Sequence, residues 1–222
     1  MHLLIIHIVL FCSIQPFTAN FTRVSIKRDT EEIVKGTMYY IAPLCTYYEI
    51  NEPIHQMISV VKNITTIYYP EEKKAFRIIS TNPSVSLFNQ PFITDDKNND
   101  YLKKMGLKQK NIEYKSDTVF IYYVPLNEKN SINKFVTGKV GNKVVYSEMT
   151  MKDESGTKIY LKKHIKLNDI EIPTEIIYKR WSDLQCIEER TSYNNISPCP
   201  AISDSLNKFR VPKGIKIKEI KW

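Results

Sequence analysis

From residue 20 onward, apolar and polar positions alternate at period two over most of the chain, the pattern of half-buried β-strands. FTRVSIKR (21–28) and EEIVKGTMYYIA (31–42) are expected as the first two strands, with Asp29-Thr30 as the turn between them. Pro43 interrupts the ladder because its nitrogen has no hydrogen to donate, and CTYYEI (45–50) then resumes the alternation. In that segment Thr46, Tyr48 and Ile50 share one face, opposite Cys45, Tyr47 and Glu49. The charge of Glu49 marks its face as the wetter one. Carried back across Pro43, the Thr46 face holds Met38, Tyr40 and Ala42.

The same pattern predicts two strands in HQMISVVKNITTIYYP meeting near Lys62-Asn63, and another in KKAFRIIS after the charged corner PEEKK. Strict alternation then lapses. The stretch 82–108 carries Asn-Pro, an Asp-rich run and DYLKKMG with a helix-stopping Gly, and short helices are expected over 84–93 and 99–105. Strands return in NIEYKS, DTVFIYYVPL, INKFVTGKVGNKVVYSEMTM (turning near Gly141-Asn142), TKIYLKKHIKL, EIPTEIIYKRWS and CIEERTSYNNI. The closing KFRVPKGIKIKEI is expected as two short strands around a Pro212–Gly214 bend. Without a fixed repeat or a low-complexity linker, 20–222 forms one domain, a mainly antiparallel β barrel or sandwich.

The first 19 residues contain no Lys, Arg, Asp or Glu and hold an apolar run too short to span a bilayer. Residues 1–19 are expected to be a secretory signal peptide ending at the imperfect cleavage site Phe17-Thr18-Ala19. The alternatives are a buried first strand or helix, or an uncleaved anchor. Lipid attachment at Cys12 is disfavoured by the bulky Phe11 before it. Export permits disulfides, and Cys186 and Cys199 are close enough in sequence to pair, leaving Cys45 as a buried apolar residue.

The net charge of +8 changes the picture little. The lysines are scattered and accompany no zinc-finger or RNA-binding signature, so solvated strand faces explain them and no nucleic-acid partner is expected. Chemistry is equally sparse. Beyond residue 19 only His55 and His164 remain, neither in HExxH, and the chain has no Gly-x-Ser-x-Gly elbow and no Gly-rich phosphate loop. Paired acids such as Glu71-Glu72 and Asp95-Asp96 fall at turns. No enzymatic activity, metal or cofactor is expected. The aromatic stripe of 36–50 is either plain core or the wall of an apolar ligand cavity.

The ordered motifs FTxxV, GTMYYIAP, YYEI and ITTIYYP, closed by KFRVPKGIKI, resemble the LolA-type outer-membrane lipoprotein carriers over about residues 20–220. The resemblance implies an unclosed, strongly curved antiparallel β-barrel, a half-barrel with a short helical lid over a hydrophobic cavity. It implies a monomeric periplasmic carrier in a Gram-negative envelope. Such a carrier takes acylated lipoproteins from an inner-membrane release complex and hands them to an outer-membrane acceptor. By position the cavity wall falls on Met38, Tyr40, Ala42, Thr46, Tyr48 and Ile50, and the lid on Leu87, Phe88 and Phe92. Two features depart from the family: Ala42 stands where it has a lid-latching Arg, and the segment before Phe21 is signal-like where the family has an amphipathic helix. Either that helix is absent, the apolar N-terminus is retained in its place, or the true start lies elsewhere. The competing classes are a secreted or envelope β-rich interaction module whose aromatics are plain core, and a hydrolase with acids on separate strands.

Overall fold

The computed structural model describes residues 16–27, 30–42, 45–79, 102, 105–167, 170–183, 185–198 and 206–221. Strands β1 (Phe17–Lys27), β2 (Thr30–Ala42), β3 (Cys45–Glu52), β4 (Gln56–Val61), β5 (Ile64–Tyr69) and β6 (Lys74–Ile79) each pair antiparallel with the next. A second run follows: β7 (Leu107–Lys115), β8 (Thr118–Pro125), β9 (Ile132–Val140), β10 (Lys143–Met151), β11 (Gly156–Leu167), β12 (Ile170–Ser182) and β13 (Gln185–Pro198), again each antiparallel to the next. The expected turns form where Lys62 and Gly141 adopt positive φ, of 56° and 57°.

The two runs are joined at a seam no local pattern announces: β1 pairs antiparallel with β13. The 14-stranded sheet therefore reads β14-β6-β5-β4-β3-β2-β1-β13-β12-β11-β10-β9-β8-β7, with β14 (Ile217–Lys221) parallel to β6. Thirteen strands thus follow the order of an up-and-down barrel from which one pairing, β6 with β7, is missing. The sheet is not closed, as expected of a half-barrel.

One buried cluster unites Phe17, Met38, Tyr48 and Val60 from β1–β4 with Leu161 and Ile176 from β11 and β12. Strands as far apart in the sheet as β4 and β11 share a core only if the sheet curls, which makes this face the inner one. A smaller cluster of Leu102, Leu107, Tyr123 and Ile132, flanked by Ile121, Phe135 and Met149, continues it toward the β7 edge.

One expectation changes, and two others meet the described residues only in part. The helical lid is not supported: the helix expected over 84–93 lies outside the described residues, and of 99–105 only Leu102 and Met105 are described. Among the described residues Leu102 is helical, within the helix expected over 99–105, and a 3-10 turn spans Asn207–Phe209. That turn replaces the first of the two strands expected in KFRVPKGIKIKEI, because burial of Phe209 against aromatic side chains outweighs a local extended preference. Finally, β1 begins at Phe17, so Phe17 and Ala19, placed in the expected signal peptide, are strand residues buried at 0% and 1% exposure.

Candidate functional site

Period two sets the inner wall. Register pairs Met38 with Tyr48, Tyr40 with Thr46 and Gly36 with Ile50, so the face read from the alternation is the face the sheet buries. Gly36 is required there, since a Cβ would stand 2.1 Å from the Glu49 carbonyl oxygen. Phe17 stacks on Tyr40 at 5.0 Å between ring centroids, and Phe21 meets Tyr48 edge-on at 5.8 Å. Burial pushes the Tyr40 and Tyr48 phenols well above their ordinary range, so both stay neutral.

Of the residues placed in the cavity, Met38, Tyr40, Tyr48 and Ile50 are brought together in one cluster with Thr46 among them. Ala42 is the last residue of β2, opposite Cys45 in the register. Leu87, Phe88 and Phe92 lie outside the described residues. Cys45 and Cys186 are free thiols, with Cys186 exposed, and Cys199 lies outside the described residues.

The inner wall is mainly hydrocarbon and aromatic, and it carries two buried threonines. Thr46 is 0% exposed and Thr137 on β9 is 8% exposed, and neither Oγ1 has a hydrogen-bond partner among the described residues. Thr137 shares its face with Phe135 and lies opposite Ser147 and Ile121 in the register.

The outer face is organised differently. Tyr39, Tyr47 and Glu49 receive the 3-10 turn: Phe209 packs 5.6 Å from Tyr39 and 5.0 Å from Tyr47, while Lys208 donates to Glu49 and, at 2.9 Å, to the Tyr39 hydroxyl. Tyr47 is pushed up to about 12 by burial and then by its contact with Cys45. Farther along, the outer face of β8–β11 holds a cavity of about 440 Å³ lined by Phe120, Tyr122, Lys134, Tyr146, Glu148 and Tyr160. Tyr146 and Tyr122 donate to Glu148 and Glu113, and Gly138 leaves room for the Phe120 and Tyr146 side chains to close over it. The sequence reading missed this groove and the turn on β2–β3. The period-two aromatics of FIYYV and VVYS carried the signal for the groove. No group of three metal-ligating side chains occurs among the described residues.

No protein-family profile and no curated protein matches the sequence. Solved structures do match in three dimensions. A LolA superfamily protein from Nitrosomonas europaea superposes at TM-score 0.58 with 12% identity, over 86% of this chain and 89% of its own. A domain from Vibrio parahaemolyticus attributed to outer membrane lipoprotein sorting gives TM-score 0.63 at 10% identity, over 88% and 89%. A DUF1329 family protein from Desulfovibrio piger gives 0.61 at 11%, over 91% and 92%. The chain therefore has the LolA-type fold.

Proposed function

We propose that the protein is a non-enzymatic carrier that holds the acyl chains of lipoproteins against its inner wall and moves them across the periplasm toward the outer membrane. The observation that carries this reading is the curled sheet left open between β6 and β7, whose apolar inner face continues from β1–β4 to β11–β12. An acyl chain gains about 0.8 kcal/mol per buried CH₂, so a lipoprotein in water needs such a wall, and an open edge offers a way in and out. Met38, Tyr40, Ala42, Tyr48 and Ile50 would line the acyl site, and Leu87, Phe88 and Phe92 would cover it. The carrier would act as a monomer between a release complex and an acceptor, the roles that the carrier resemblance supplies.

A second reading has its own observation. Met38, Tyr40 and Thr46 are each 0% exposed, as in a filled core that needs no ligand, which suits a β-rich envelope interaction module. Titration with a fluorescent dipalmitoylglyceryl lipopeptide separates the two. The carrier reading expects saturable binding that the deacylated peptide neither shows nor competes. Absence of saturable binding overturns it in favour of the filled module.

A further inference from the structure

We propose that Thr46 is the polar anchor of the acyl site, its hydroxyl donating a hydrogen bond to the carbonyl oxygen of an ester-linked acyl chain. The proposal rests on the carrier reading above and adds the chemistry by which the site recognises the linkage as well as the chain. Thr46 lies on the inner face of β3 between Tyr40 of β2 and Val60 of β4, all three buried. Its Oγ1 is fully buried and has no hydrogen-bond partner among the described residues.

A buried hydroxyl without a partner is destabilising. A plain core has a better choice at the same shape: Val packs on a strand as well as Thr and brings no orphan. The wall thus holds a buried donor where hydrocarbon would be more stable, and a ligand reaches it only where the side chains packed over it give way. An acyl chain brings no hydrogen-bonding group of its own along its methylenes. The polar atoms that accompany it into an apolar site are the carbonyl oxygens of its ester, which accept and cannot donate. The hydroxyl of Thr46 is the complementary group. Thr137 places a second hydroxyl of this kind on the inner face of the other half of the sheet.

The test compares Thr46→Val and Thr46→Ser with the parent chain on two probes: a dipalmitoylglyceryl lipopeptide and its dialkyl ether analogue, which keeps the chains and lacks the carbonyls. Thr46→Val should bind the ester probe about tenfold more weakly, which corresponds to about 1.4 kcal/mol, and the ether probe unchanged. Thr46→Ser, which keeps the donor, should retain the ester preference. Thermal unfolding of unliganded Thr46→Val should lie at or above the parent midpoint, since the orphan is gone. If Thr46→Val changes both probes alike or neither, the anchor is overturned and the carrier reading stands. If the parent chain binds neither probe, the carrier reading falls and the anchor with it.

Discussion

At the scale of single residues, Gly36 carries the tightest constraint on the wall. A Cβ there would meet backbone atoms, the Glu49 carbonyl oxygen at 2.1 Å and Ile50 Cα at 3.0 Å, and backbone cannot swing aside as a side-chain tip can. Gly36→Ala should force β2 and β3 apart and destabilise the fold by about 3 kcal/mol or more. A urea midpoint equal to the parent's would contradict that geometry. His164 on β11 offers a second residue-scale test. Burial first, then the nearby Lys143 charge, hold its pKa below 6.5 in the folded chain. The unfolded chain therefore takes up the proton first as pH falls. Stability should be full above about pH 6.5 and decline as pH drops through the lower folded value. His164→Gln should flatten that part of the stability–pH curve, and an unchanged slope would remove His164 as its source.

At the scale of elements, the strands were legible because period two is a local property. Thr46, Tyr48 and Ile50 could be placed on one face from CTYYEI alone, and the register with Met38 and Tyr40 follows from that face being buried. What was not legible came from contacts distant in sequence. Nothing in FTRVSIK announces β13 as a partner, because a seam between strands more than 150 residues apart is set by the curl of the whole sheet. KFRVP reads as extended, yet Phe209 is held at 5% exposure between Tyr39 and Tyr47, a tertiary contact that no window on 207–211 contains. Phe209→Ala should therefore cost about 3 kcal/mol in chemical denaturation, and Lys208→Ala distinctly less because that side chain is partly solvated. Equal losses would mean that the ion pair fastens the turn as strongly as the ring does. The first strand also bears on the processing boundary, which intact mass would test. Cleavage after Ala19 would discard Phe17 and Ala19, which pair with Tyr40 and Met38 in the core. The mature chain should begin at or before Phe17, as intact mass would reveal, and a start at Asn20 would mean the sheet forms without them.

At the scale of the whole molecule, an open sheet must protect two edges that a closed barrel would not have. The β7 edge protects itself: LKQKNIEYK places Lys108, Lys110 and Lys115 along an exposed strand, and a second chain would have to bury those charges to pair there. The other side is less well defended. KAFRII of β6 carries Ala75, Phe76, Ile78 and Ile79, the kind of apolar strand that recruits a neighbour. Here β14 covers it in parallel register, Ile217 beside Ala75 and Ile220 beside Ile78, and Arg77 pairs with Glu219 at 3.1 Å. The exposed face of β14, IKEIK, then offers lysines at the new edge. In this account β14 is a cap on an adhesive strand and contributes little to the inner wall, which β1–β4, β11 and β12 build without it. Deleting 216–222 leaves the 3-10 turn in place and uncovers β6. The truncated chain should keep its far-ultraviolet circular dichroism and self-associate with rising concentration in sedimentation velocity, while the full chain does so less. Adding Lys at Ile78 or Phe76 of the truncated chain should suppress the association by restoring a charged edge. A truncated chain that sediments as the full chain does at every concentration would mean that β6 needs no cover, and that β14 is held there for another purpose.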